Sequence, residues 1–152
     1  MTNSSDENRI LIIGGGPVGL FAAVRLTGFG IPVTLVEKNS AVDQNIRAST
    51  IHPPSLEMMA PYGITKEVLA NGLKVPQWQI RNHVTGEYVI FDLNHIADET
   101  EYPYRVQCEQ SKLCEIMDRM LKREPLVDIH YRTELLSAEQ DDSGVTIKVV
   151  IN

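Results

Sequence analysis

The sequence predicts an α/β fold: a βαβ unit on a parallel sheet, with an antiparallel β excursion added later in the chain. Three observations predict it. Two short apolar runs, Ile10–Ile13 and Val33–Glu37, flank a stretch from Val18 to Phe29 that places Leu20, Ala23, Val24 and Leu26 near helical spacing. Three consecutive glycines, Gly14 to Gly16, separate the first run from that stretch. Far downstream, Glu134–Glu139 and Val145–Ile151 face each other across Asp141-Asp142-Ser143-Gly144, a turn-rich linker of the kind that joins antiparallel strands.

Each element follows from its residues. Ile10–Ile13 is continuously apolar, which suits a strand buried on both faces of a parallel sheet. Gly30 stops the helix that begins at Val18, and Val33–Glu37 is a second buried strand. Asn39–Thr50 is a polar loop. Pro53-Pro54 precedes a helix over Ser55–Tyr62 ending near Gly63, and a second helix over Ile64–Asn71 closes at Asn71-Gly72. Gln77–Asn82 and Glu87–Leu93 alternate as half-exposed strands do, with Thr85-Gly86 as a hairpin turn. Asn94–Tyr104 is an irregular acidic loop. Gln110–Lys122 is the clearest amphipathic helix, with Leu113, Ile116, Met117, Met120 and Leu121 on one face. Pro125 ends it, and Leu126–His130 returns as a strand to the parallel sheet. Residues 1–8 read as a disordered tail and 9–152 as the folded domain.

The glycines have a mechanical reading. The segment Gly14-Gly15-Gly16-Pro17-Val18-Gly19 matches G-x-G-x-x-G between a strand and a helix, and an acid, Glu37, ends the second strand. That context makes the match informative and marks a Rossmann-like dinucleotide site. Gly14 allows the turn out of the strand, Gly16 lets the backbone approach a pyrophosphate, and Gly19 lets the helix pack closely. The helix N-terminus then offers free N–H groups and a partial positive charge, with Pro17 and Val18 in the contact stretch. Glu37 is placed to accept hydrogen bonds from ribose hydroxyls and to repel a 2′-phosphate; Lys38 stands beside it. The βαβ unit by itself leaves FAD and NAD both open.

Composition narrows the partners. Of 152 residues, 43% are hydrophobic and 22% charged, a globular mix. The formal net charge of −6 argues against nucleic acid, whose affinity needs cationic side chains, and against a basic membrane-surface patch. The apolar stretch Ile10–Leu26 is broken by Gly14–Pro17 and Arg25, so no integral membrane association is expected. The chain is expected to be cytoplasmic. Its two cysteines, Cys108 and Cys114, are expected to be reduced thiols without zinc spacing; a redox role for Cys108 stays open. No metal site is expected. His83, His95 and His130 read as surface or strand-end residues, and Trp78 as core packing.

The rest of the chain carries a resemblance. Four pieces occur in order: Gly14-Gly-Gly-Pro-Val-Gly19-Leu with Glu37; Arg47-Ala-Ser-Thr-Ile-His52-Pro-Pro-Ser55-Leu-Glu57 with Gly63; Tyr102-Pro-Tyr-Arg-Val-Gln-Cys-Glu-Gln110-Ser-Lys-Leu; and Thr133-Glu134 with Gly144-Val-Thr-Ile. Together they resemble the FAD-binding front part of the group A flavoprotein monooxygenases, the family of para-hydroxybenzoate and phenol hydroxylases. The resemblance implies FAD as cofactor, NAD(P)H as co-substrate, dioxygen, and a small aromatic substrate to be hydroxylated. It implies that Arg47 sits beside the FAD pyrophosphate, which suits a guanidinium, and that Gln110 bonds the ribityl or phosphate part. It assigns no catalytic side chain within this chain. The family's two later FAD segments, one Asp-Gly and one Gly-Asp, have no counterpart dipeptide here. The expectation is therefore a truncated front part, whose alternatives are a non-catalytic nucleotide-binding module or half of a split enzyme. An exposed sheet edge would then favour a homodimer or a complementing chain.

Overall fold

The structure is a computed structural model and describes residues 8–152. The tail expected over residues 1–8 therefore lies, Asn8 apart, outside the described residues. In chain order the elements are β1 (Ile10–Ile13), α1 (Pro17–Gly28), β2 (Val33–Val36), β3 (Thr50–Ile51), α2 (Pro53–Met59), α3 (Ile64–Asn71), β4 (Leu73–Val75), β5 (Gln77–Arg81), β6 (Tyr88–Asp92), β7 (Arg105–Gln107), α4 (Gln110–Leu121), β8 (Val127–His130), β9 (Thr133–Asp141) and β10 (Gly144–Ile151). Short 3₁₀ turns cover Ala60–Tyr62 and Leu93–Ile96. The chain divides into two compact units, residues 8–45 with 114–152 and residues 46–113, the boundary falling inside α4.

The first unit carries a parallel sheet in the order β1-β2-β8. Ile10 pairs with Val33 and Ile13 with Val36; on the other side Val33 pairs with Val127 and Val36 with His130. As the middle strand, β2 is the buried one: Val33, Leu35 and Val36 are almost fully enclosed. The sequence expectation for β1 is corrected. Ile10 and Ile13 are 45% and 48% exposed, because β1 pairs on one side only among the described residues. A continuous apolar run signals a strand but does not reveal its place in the sheet.

Helix α1 starts on Pro17, whose fixed φ is suited to the first helical position. Leu20, Ala23 and Val24 bury its inner face, and α1 packs on β1 and β2. Full burial of a Leu side chain contributes roughly 1.5–3 kcal/mol, so Leu20 and Leu35 are principal contributors. The helix ends where the amides of Phe29 and Gly30 bond the carbonyls of Leu26 and Thr27, with Gly30 in the left-handed region at φ 76°. The second half of α4 adds Ile116, Met117 and Leu121 to this unit's core.

Strands β9 and β10 form the expected antiparallel pair, longer than the sequence suggests, chiefly toward the turn at Gln140, Asp141 and Gly144, and interrupted by a register shift at Lys148/Val149. Asp141 closes the turn: its Oδ1 accepts from the Ser143 hydroxyl and from the amides of Ser143 and Gly144. Those bonds hold its carboxyl below the usual range.

The second unit holds an antiparallel sheet, β3-β7-β4, and the β5–β6 hairpin. The sheet is absent from the sequence reading, which assigns no strand to residues 50–51, 73–75 or 105–107. Strands of two and three residues are too short to show a period. Helix α2 begins at Pro53, earlier than expected, and passes into a 3₁₀ turn at Ala60–Tyr62, where Pro61 has no N–H for a continuing α pattern. Helix α3 matches its expected span. Gly72 after it is extended, not left-handed; a β-carbon there would lie 2.5 Å from Val106 Cγ1, so close packing against β7 demands the glycine. Trp78 is not core: it is half-buried, stacked on Phe91 across the hairpin at 4.1 Å and 10°. Among the described residues no helix is long and apolar enough to cross a membrane.

Candidate functional site

The glycine turn of the first unit is built from its backbone outward. Gly14 leaves β1 at φ 103°, a conformation that L side chains rarely adopt, and its amide bonds the carbonyl of Val36 at 2.8 Å. This places the turn at the C-terminal ends of β1 and β2, where open α/β sheets bind ligands. Gly16 is the N-cap of α1 in extended conformation, and no side chain caps the helix. The first helical bond runs from the Leu20 amide to the Gly16 carbonyl at 2.9 Å. The amides of Val18 and Gly19 therefore precede the first intrahelical donor, and Pro17 has none to offer. No acidic residue lies in the first turn to neutralise the positive end of the helix.

Room exists in front of these donors. A β-carbon on Gly14 or Gly16 would meet nothing within 4 Å, so the space beside the turn is open. Gly19 differs: a β-carbon there would run into the carbonyl oxygen of Gly14 and lie 3.3 Å from Ile12 Cγ2. Gly16 and Gly19 thus differ: Gly16 borders open space, and Gly19 seats the helix on the turn.

Glu37 lies immediately after β2 and is half-buried. Its Oε2 accepts the Gly15 amide at 2.6 Å and its Oε1 accepts the Asn39 amide at 2.8 Å. Its own backbone is tied on both sides, the Glu37 amide to His130 O at 2.9 Å and the Thr133 amide to Glu37 O at 2.9 Å. Sequence reasoning placed Glu37 but missed its bond to Gly15, because no local pattern signals a contact across the turn. Lys38 is exposed beside it, as are Val18 and the backbone of Gly16. Chemically, uncapped amides beside open space suit an oxyanion such as a diphosphate, and an adjoining carboxylate suits hydroxyl groups.

Arg47 and Gln110 belong to the second unit, where the structure brings their segments together. The Gln110 amide bonds Ala48 O at 3.0 Å and the Cys108 amide bonds Ser49 O at 2.7 Å. Gln107, missed from sequence, accepts from the hydroxyls of Ser49 and Thr50 through Oε1. Arg47 is exposed and Gln110 half-buried at the first position of α4. His52 is the N-cap of α2, and His83 and His95 are exposed. Another open hollow of this unit, about 570 Å³, is lined by Glu57, Ala60, Pro61 and residues 97–102. Its carboxylates make it a poor phosphate site, and it contains none of the expected cofactor positions.

Both cysteines are free and buried. Burial pushes the Cys114 thiol up to about 11, helped by the charges of Asp43 and Glu115. Burial also raises Cys108, against the partial opposition of Lys112. Neither resembles a nucleophile, whose thiolate must be accessible and stabilised.

The family model described as FAD binding domain matches residues 7–152. The chain is 32% identical over 143 residues to 6-hydroxy-3-succinoylpyridine 3-monooxygenase of Pseudomonas putida (strain DSM 28022 / S16), covering 94% of this chain and 36% of that protein. It is 29% identical over 140 residues to para-nitrophenol 4-monooxygenase of Pseudomonas sp. (strain WBC-3), covering 91% and 34%. Among solved structures, p-nitrophenol 4-monooxygenase from Pseudomonas putida DLL-E4 superposes with a TM-score of 0.87 at 28% identity, over 93% of this chain and 36% of that one. The chain thus spans about a third of the length of the curated relatives it matches.

Proposed function

The chain belongs to the FAD binding domain family, and on that premise we propose that it is the FAD-holding portion of a flavin-dependent monooxygenase that hydroxylates a small aromatic or phenolic substrate with NAD(P)H and dioxygen. The observation that carries this reading is the uncapped N-terminus of α1 beside open space at Gly16, with the Glu37 carboxylate bonded to the same turn. We read residues 9–152, both compact units together, as one FAD-binding domain acting in the cytoplasm.

The residues divide the work of binding. The backbone of Gly14, Gly16 and Gly19 with Pro17 and Val18 frames the diphosphate, and the free amides of the first turn donate to it. Glu37 has acceptor capacity left after its two amide bonds and takes the adenosine ribose hydroxyls. Lys38 and Arg47 supply positive charge, Arg47 toward the pyrophosphate, and Gln110 bonds the ribityl or phosphate part. FAD, when bound, supplies the redox chemistry, accepting reducing equivalents from NAD(P)H and activating dioxygen. The chain's own part is to bind, orient and shield. The exposed edge and faces of β1, β5–β6 and β9–β10 support a second copy or a complementing chain as partner.

Isothermal titration of the purified chain with FAD tests the reading, together with its visible spectrum. Saturable binding and a perturbed flavin band are expected. A folded chain that leaves FAD unbound at the highest attainable concentration sinks it. Binding without NAD(P)H oxidation coupled to a hydroxylated product limits the chain to a cofactor-binding module.

A further inference from the structure

The carboxylate of Glu37 does more than face a sugar. Oε2 accepts the Gly15 amide at 2.6 Å, and Oε1 accepts the Asn39 amide at 2.8 Å. Gly15 is buried, and a β-carbon on it would touch Glu37 Cβ, Cγ and Oε2 at 3.2–3.4 Å, so the side chain lies flat against the turn. The segment carrying the carboxylate is fixed from the other side. The Glu37 amide bonds His130 O, the Thr133 amide bonds Glu37 O, and the Arg132 amide bonds Asn39 O, each at 2.9 Å. Arg132 takes a left-handed φ of 57° at this crossing. A rigid anchor on the β8–β9 connection is thereby linked, through one carboxylate, to the middle of an otherwise open loop.

From this geometry we infer that Glu37 is a positioning residue for the diphosphate: through the Gly15 amide it holds the Gly14–Gly16 turn in binding geometry, in addition to meeting the ribose. The inference rests on the reading that this turn receives FAD. Its physical basis is preorganisation. A glycine loop has more freedom to lose than any other sequence, and ordering it before the ligand arrives removes that cost from binding. The carboxylate supplies two charge-assisted bonds to backbone donors, one inside the turn at Gly15 and one beyond β2 at Asn39. Glutamine cannot replace it: one end of its amide accepts, but the other is an NH₂ that meets an N–H donor. Aspartate is one methylene shorter and cannot span both amides in the same pose.

The test compares ADP with 2′,3′-dideoxy-ADP, which keeps the diphosphate and lacks both ribose hydroxyls, in the wild-type chain and in Glu37→Gln and Glu37→Asp. A ribose-only role predicts that Glu37→Gln weakens ADP and leaves the dideoxy ligand unchanged. The positioning role predicts that Glu37→Gln weakens the dideoxy ligand as well, by roughly five- to tenfold, the equivalent of about one ordinary hydrogen bond. A smaller loss is expected for Glu37→Asp. Amide hydrogen exchange on the unliganded chain is the second arm. Gly15 should exchange markedly faster in Glu37→Gln, while amides in the core of α1 keep their protection, which a general loss of stability would not allow. Unchanged dideoxy-ADP affinity, or unchanged Gly15 exchange, overturns the inference. If the wild-type chain binds neither nucleotide nor FAD, the functional reading fails, and the exchange arm still decides whether Glu37 orders the turn. Should Glu37→Gln not fold, Glu37→Asp carries both arms.

Discussion

Gly19 sits directly against Gly14, so that a β-carbon on the helix residue would collide with the carbonyl oxygen of the turn residue. Both sides of that contact are backbone and cannot rotate away. Gly19→Ala should therefore cost about 1–3 kcal/mol or more, as overpacking does, and lower the thermal midpoint by several degrees. Gly16→Ala meets nothing within 4 Å. Its stability should stay within about 0.5 kcal/mol of wild type, while nucleotide affinity drops, because the added methyl projects into the ligand's space. Thermal melts paired with titrations separate the two outcomes. A Gly16→Ala chain that binds FAD as wild type does would contradict the assignment of that space.

Arg9 ties three strands together. Its Nε donates to Thr34 Oγ1 at 3.0 Å, its Nη2 donates to the carbonyls of Val33 and Leu126, and it pairs with Asp128 at 2.8 Å. Its side chain is only 12% exposed, whereas that of Asp128 is 56% exposed. Arg9→Ala should cost about 1.5–3 kcal/mol by removing charge-assisted hydrogen bonds to half-buried partners, and Arg9→Lys should restore little, since a compact ammonium lacks the planar fork that spans them. Asp128→Asn should cost under about 1 kcal/mol, because solvent screens that partner. Urea denaturation of the three variants gives the ranking; equal losses for Arg9→Ala and Asp128→Asn would refute it.

Tyr131 donates from its hydroxyl to Asp118 Oδ1 at 2.7 Å, and Lys122 holds the other carboxylate oxygen. Burial first, then the bond and charge of Asp118, raise the tyrosine well above its usual range. A raised folded-state value stabilises the fold fully below the ordinary tyrosine value near pH 10. That stabilisation is lost as the pH climbs beyond it. Tyr131→Phe should lower stability at neutral pH and flatten the alkaline decline. An unchanged alkaline slope in that variant would dismiss the argument.

Burial pushes the Cys114 thiol up to about 11, from an ordinary value of 9.0. Its contribution is fully present below pH 9 and is lost between pH 9 and 11. The native chain should react slowly with a thiol-specific disulfide reagent at pH 8, and both thiols should react at once in denaturant. Fast native labelling of either cysteine would show that its burial is not maintained in solution.

Trp78 is the single tryptophan and stacks on Phe91, with the Arg105 guanidinium 4.9 Å from its ring centre. A two-stranded hairpin is marginal by itself, and a stacked aromatic pair adds roughly 0.5–1.5 kcal/mol beyond its buried area. Phe91→Ala should shift Trp78 emission to the red and open residues 77–92 to limited proteolysis. Emission and cleavage that match wild type would show that the stack does not hold the hairpin.

The sequence by itself determined the βαβ unit, the amphipathic α4, both hairpins and the glycine turn with its acid. Each rests on local signals: apolar runs, helical spacing, glycines at fixed offsets. Only the tertiary structure decided the rest. It left β1 paired on one side only among the described residues, built the β3-β7-β4 sheet from pieces of two and three residues, paired the Arg47 segment with the start of α4, and laid Glu37 across the Gly15 amide. Those are contacts between residues far apart in the chain, and periodicity, which reports only on neighbours, carries no trace of them.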